Sequence, residues 1–175
     1  MQLTTAEERN RLLAACKREA VHLELRDVYA VQNEAERFAL FLATGRYHGA
    51  DAVDRQHWLD LIRSVTQAGK RIRRARIVSE PVTDYIRFEW AGAEYNVEAG
   101  EDVRWLPRRL ASQIALPGND FWLFDDTTAI FNVFTGEGDL AERQLTTDTA
   151  AVELCRAAFE AVWQVAIPHG TYQPK

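Results

Sequence analysis

The sequence predicts one α/β domain of the α+β type: a mixed sheet of about five to six strands, with a C-terminal β-meander and flanking helices. Three observations point there. Its 175 residues suffice for one core and are too few for two comfortable domains. Apolar side chains recur at helical spacing in some segments and alternate in others, with Gly, Pro and Asp clusters between. Near the C-terminus, three alternating segments follow one another across short turns and give way to a last helix.

The domain is expected to run over 1–175, with a leading helix over 5–20, a core over 20–166 and a loose tail over 167–175. Leu12, Leu13, Cys16 and Ala20 carry the first helix. VHLELRDVYAV (21–31) alternates as a half-buried strand, with His22, Glu24 and Arg26 opposite Val21, Leu23 and Leu25. Asn33 and Glu36 form a capping box for a helix with Phe38, Phe41 and Leu42, closed by Gly45. After the loop 46–54, Asp54 caps a helix with Trp58, Leu61, Ile62 and Val65 on one face and Gly69 as its stop.

KRIRRARIVSE (70–80) begins cationic, ends apolar and reads as a strand. After Pro81 two patterns compete. DYIRFEW alternates like a strand, while Val82, Tyr85, Ile86 and Glu89 follow helical spacing, and a helix over 82–97 is adopted. Residues 101–107 form a short strand, 108–115 a short helix and 116–120 a turn. FWLFDD and AIFNVF pair around Asp126-Thr127-Thr128, and a turn at 135–139 leads to a third strand, 140–146. Asp148 caps the last helix, 149–166, whose stripe is Val152, Cys155, Phe159, Val162 and Trp163.

Hydrophobic residues at 47 % and charged residues at 27 % match a soluble globular protein. No apolar run can span a bilayer, and the polar start lacks a signal-peptide pattern, so no membrane association and a cytoplasmic location are expected. Cys16 and Cys155 read as buried thiols. The four histidines lack metal-ligand spacing, so neither a metal nor a cofactor is called for. A net charge of −5 disfavours sequence-independent binding to a phosphate backbone. The cationic run Lys70–Arg76 is read as a solvated strand entrance beside a helix C-terminus. Direct nucleic-acid binding through it ranks last, because no aromatics interleave.

No catalytic residues are assigned. Asp125 and Asp126 could be turn residues, a metal site with Glu101 and Asp102, or the remnant of an active site; the turn with one ion pair is the simplest account. The candidate binding residues are Arg87, Glu89, Glu101, Arg104, Trp122, Asp125 and Asp126, arginines and acids at element ends beside aromatics. Arg87 is expected to pair with Glu89 or a neighbouring acid, and Trp90 is the aromatic expected to be exposed.

The phrases RDVYAV (26–31), RIVSEPVTDYIRFEW (76–90), AGEDVRWLPR (99–108) and DFWLFDD (120–126) resemble an actinobacterial family catalogued as domain of unknown function 6879. The resemblance runs from about residue 20 to 165 and implies a regulatory neighbourhood near small helix-turn-helix regulators. The element order is also similar to half of a phospholipase D-like domain. Active members carry His-x-Lys followed by Asp. Here the positions before Asp125 and Asp126 hold Asp120, Phe121, Trp122 and Leu123, which removes the nucleophile and the phosphate ligand. The expected function is therefore a non-catalytic intracellular accessory module acting through a protein partner such as a helix-turn-helix regulator. The alternative is a sensor or enzyme that grips a small anionic ligand in an Arg/Asp/Glu pocket.

Overall fold

The computed structural model describes residues 1–31, 34–48 and 52–175. In chain order the elements are β1 (Gln2–Thr4), α1 (Ala6–Ala15), β2 (Glu19–Glu24), α2 (Ala35–Thr44), α3 (Val53–Gln67), β3 (Arg71–Val78), α4 (Asp84–Glu98) and β4 (Asp102–Pro107). They are followed by β5 (Asp120–Phe124), β6 (Thr128–Phe134), β7 (Leu140–Thr146), α5 (Thr149–Val165) and β8 (Ile167–Pro168). One mixed sheet runs β1-β7-β6-β5-β2-β3-β4-β8. Strands β2, β3 and β4 are parallel neighbours; the meander β5-β6-β7 and both edge strands join antiparallel.

Alternation divides the sheet into two unlike faces. One is mainly apolar: Val21 and Leu23, Ala75 and Ile77, Leu106, and Phe121 and Leu123 meet the α5 stripe of Val152, Cys155, Phe159 and Val162, with Arg73 stacked over Phe159 and paired with Glu19 and Glu160. The other face is covered in two places. Leu59, Ile62 and Val65 of α3 and Leu13 of α1 pack on Ile72, Trp122 and Ile130. Ile86 and Ala93 of α4 pack on Val78, Val103 and Trp105. Between these patches the same strands present His22, Glu24, Arg74 and Arg76, and a cavity opens there.

The expected helices at 82–97 and 149–166 form, capped by the Thr83 hydroxyl on the Ile86 N–H (3.1 Å) and by Asp148 on the Ala151 N–H (2.9 Å). Gly45 stops α2 at φ 68°, as its position predicts. The Asn33 cap and part of the 46–54 loop lie outside the described residues. Asp54 is not the cap of α3: it sits in the first turn, where it pairs with Arg37 at 3.1 Å.

Other expectations are corrected. Among the described residues there are eight strands rather than five to six. The extra ones are edge segments of two or three residues, too short to show a period. The first helix ends at Ala15 rather than 20, because Asp125 takes the backbone N–H groups of Lys17, Arg18 and Glu19. Strand β2 stops at Glu24 rather than 31, where the Leu25 N–H turns to the Asp120 carboxylate (2.9 Å). Only a single 3-10 turn, Arg108–Leu110, stands where a helix over 108–115 was expected. Arg108 reaches back to the carbonyls of Leu25 (2.6 Å) and Ile77 (3.0 Å) and fixes that segment. The tail is docked, not loose: Tyr172 is buried against Trp105, and the Val82 N–H donates to the Lys175 carbonyl. Trp90 is half-buried rather than exposed.

Candidate functional site

The cavity measures about 740 Å³ and lies between the sheet and helices α1, α3 and α4. That size falls within the range of small-molecule sites. Its floor follows from period-2 alternation: His22 and Glu24 project from β2, Arg74 and Arg76 from β3, Asp120 and Trp122 from β5, Asn132 from β6 and Arg143 from β7. The registers Glu24↔Arg76, Asp120↔Asn132 and Asn132↔Arg143 set these side chains in a transverse polar row.

Glu24 is the hub. Its carboxylate receives Arg74 at 2.5 Å and Arg76 at 2.9 Å, and His22 Nε2 lies 3.2 Å away. Burial alone would push its pKa up, but Arg76 and Arg74 outweigh burial and hold it well below the usual carboxylate range. Each arginine has a second acid: Arg74 pairs with Glu101 at 2.7 Å, and Arg76 with Glu89 at 2.5 Å. Burial opposes the charge on Arg76, yet Glu24 and Glu89 raise its pKa. Asn96 ties Glu101 to Arg55, which also donates to the Gly92 carbonyl at 2.9 Å. Gly92 is required: a Cβ there would sit 2.6 Å from the Tyr47 ring.

His22 is fully engaged. Nδ1 contacts the Phe121 carbonyl at 2.7 Å, and because that oxygen can only accept, the proton sits on Nδ1. The ring stacks on Trp122 at 4.3 Å, and Nε2 can bond the Glu24 carboxylate only by donating a proton as well, a contact that leaves it no lone pair for nucleophilic attack.

A second group closes the other side. Tyr29 donates to Asp120 at 2.5 Å, and Tyr85 donates to Glu34 at 2.9 Å. Burial raises the Asp120 pKa against the hydrogen bond from Tyr29. Burial and the nearby Glu89 push Glu34 up to about 7. Several buried atoms remain without partners: Nε of Arg55, Arg76 and Arg143, and Oδ1 of Asn132. Such atoms call for water or another polar group as a partner. Among the described residues, no group of three or more His, Cys, Asp or Glu is placed to hold a metal ion. No helix there is long and apolar enough to cross a membrane.

The structure brings together only part of the expected site. Glu89 and Trp122 line the cavity, and Glu101 stands directly behind Arg74. Arg87 does not join them; it is exposed on α4, and Glu89 pairs with Arg76 instead. Arg104 projects to the α5 side, stacked 4.1 Å over Trp163. Asp125 and Asp126 form the corner of the β5–β6 hairpin at φ 50° and 56°, one residue earlier than expected. Asp125 accepts N–H groups of Lys17 (2.6 Å), Arg18 (2.8 Å) and Glu19 (3.1 Å), which outweigh burial and lower its pKa. Asp126 pairs with Arg18 at 3.3 Å. They form a turn and ion-pair device, remote from the cavity. The cationic run is also different from expectation: Arg73, Arg74 and Arg76 are buried or nearly so in ion pairs, not solvated. The sequence signal for the missed residues was present. Polar side chains at 22, 24, 74 and 76 alternate within strands, but alternation alone assigns such a face to water.

No curated protein matches the chain. Among solved structures, a phospholipase D family member, Nuc, from Salmonella typhimurium is similar with a TM-score of 0.54 at 9 % identity, over 91 % of this chain and 86 % of that one. NucT from Helicobacter pylori reaches a TM-score of 0.48 at 9 % identity, over 95 % and 97 % of the two chains. At such identity the first likeness concerns the fold alone, and it agrees with the phospholipase D-like element order read from the sequence. The profile of the family described as "Domain of unknown function (DUF6879)" matches residues 7–174, and the chain belongs to that family.

Proposed function

We propose that the protein is a non-catalytic binding module whose cavity takes a small polar ligand. One observation carries this reading. The cavity holds a pre-built charged network and yet leaves donors on Arg55, Arg76 and Arg143 and an acceptor on Asn132 without protein partners. A purely structural ion-pair network would satisfy its own members, since half-paired buried groups cost stability. The ordering of His22 between Phe121 and Glu24 supports binding over nucleophilic catalysis.

The test is a thermal-shift and fluorescence screen against anionic, neutral and zwitterionic metabolites. Trp58 lines the cavity, so a ligand should raise the Tm and change an emission component that Trp58→Phe removes. A panel in which no compound does both overturns the reading.

A protein partner, such as a helix-turn-helix regulator in an intracellular regulatory role, is the second reading. It is favoured by Leu40 and Leu42, exposed on α2 with Val28 and Val31 exposed in the preceding loop, and by the net charge of −5. Pull-down from the native host should recover a specific basic partner that releases as salt rises. Recovery of none sinks it.

A further inference from the structure

Arg9 and Arg143 differ from Arg74, Arg76 and Arg37 in the same cavity, and Arg55, which also has no ion pair, is held by Asn96 and the Gly92 carbonyl. Arg74 and Arg76 each meet two carboxylates, and Arg37 meets Asp54. Arg9, on α1, lies over the Trp58 ring at 5.1 Å and gives Nε and Nη2 to Asn10 Oδ1 at 3.1 and 2.8 Å. Arg143, on β7, keeps a buried Nε without a partner. Among the described residues neither forms an ion pair, and the carboxylate that acts on both is the fully exposed Glu7. Burial, then the repulsion of Arg9 by Arg143 and by Arg74, brings Arg9 down to about 10. Two guanidiniums thus line one side of the cavity without an ion-pair partner, offset only by the more distant charge of Glu7.

Asn132 completes this side. It faces Arg143 across the β6–β7 ladder, is only 8 % exposed, and its Oδ1 has no donor. The next residue along the row is Asp120, an acceptor already shared by Tyr29 and Leu25. Adjacent strands lie about 4.8 Å apart, so Asn132 can meet a group one or two bonds removed from an anion held at Arg143.

We propose that this side of the cavity binds the phosphate of a small phosphomonoester, held between Arg9 and Arg143, with Asn132 Oδ1 accepting from a neighbouring hydroxyl or amino group of the same ligand. The inference rests on the cavity reading above and names its ligand class. A dianion matches two cations that have no ion-pair partner, whereas a single carboxylate would leave one of them unpaired. The planar guanidiniums suit bidentate bonds to phosphate oxygens. Arg74 is not counted, because Glu24 and Glu101 already occupy it.

Isothermal titration calorimetry with inorganic phosphate, glycerol 3-phosphate and glycerol tests this. Both phosphate compounds should bind and glycerol should not. Arg9→Gln and Arg143→Gln should each weaken phosphate binding by about tenfold or more, the loss of a charged hydrogen bond. Arg156→Gln, at an exposed pair with Glu153, should leave it unchanged. Asn132→Ala should weaken glycerol 3-phosphate more than inorganic phosphate. Removing one of two repelling cations should keep or raise the Tm, which separates lost binding from lost folding. No binding of either phosphate compound at millimolar concentration, or full affinity in both arginine variants, overturns the inference. If a metabolite from the screen binds and its affinity survives both arginine substitutions, the cavity reading stands and this assignment falls.

Discussion

The two faces of the sheet come from the same strands, one residue out of phase, and they are buried by opposite means. Beneath α5, Val21, Ala75, Ile77 and Phe121 meet Phe159 and Val162, and exclusion of water holds the layers together. On the other side, one residue along, His22, Glu24, Arg74 and Arg76 are equally removed from bulk solvent but stay charged or polar by pairing. Replacing such a network with apolar side chains often stabilises a protein, whereas removing one partner is severe. A fold that needed only stability would have packed both faces alike. The α5 face is held mainly by apolar burial, and the opposite face divides its area between two apolar patches and a charged cavity.

Substitutions can break this contrast. The largest effects should be equal in size and opposite in character. Glu24→Gln strips the shared partner from Arg74 and Arg76 and should cost about 3–5 kcal/mol. Phe159→Ala should cost about 3–5 kcal/mol by leaving a void under the apolar face. Urea denaturation measures both, and ligand response separates them. Phe159→Ala should keep the thermal shift produced by a cavity ligand while Glu24→Gln abolishes it. Loss of response in both would erase the division between the two faces.

A smaller effect sharpens the cavity face through pH. Glu34 is raised to about 7 in the folded chain from an ordinary value of 4.5. Its protonated form is the one folding favours. Its contribution is therefore fully present below the unfolded pKa and is lost as pH rises from about 4.5 through about 7, on the order of 2–3 kcal/mol. Glu34→Gln should flatten that part of the stability profile and be more stable than the wild type at pH 8. A wild-type curve that rises across this window would contradict it.

Smaller still are the two aspartates of the hairpin corner. Asp125→Ala should cost about 1–2 kcal/mol, because three backbone N–H groups lose their acceptor. Asp126→Gly loses only an exposed pair with Arg18 and gains a residue suited to φ 56°, so it should stay within about 0.5 kcal/mol of the wild type. Neither should alter ligand binding. Equal costs at the two positions, or a binding defect in either, would show that the corner is coupled to the cavity face.

Much of the fold was legible in the residues themselves. The α5 stripe, the Asp148 cap, the Gly45 stop and the meander all rest on local rules of spacing and capping. The family phrases were legible too, and so was the absence of a His-x-Lys pair before Asp125. Of the residues expected to bind, Glu89 and Trp122 line the cavity and Glu101 pairs with Arg74 behind it, while Arg87, Arg104, Asp125 and Asp126 lie elsewhere.

The sequence by itself determined where the longer helices and strands lie and which of their residues share a face, though not all their ends nor the two short edge strands. Those follow from a period of 2 or 3.6 within one segment. Only the tertiary structure decided that the polar face of β2 and β3 looks into a cavity rather than into water. It alone set Glu24 beside both Arg74 and Arg76 and left Arg9 and Arg143 without an ion-pair partner among the described residues. Such pairings join residues about fifty or more positions apart. Their charges are satisfied only once helices α1, α3 and α4 close over the sheet, and no local pattern records that closure.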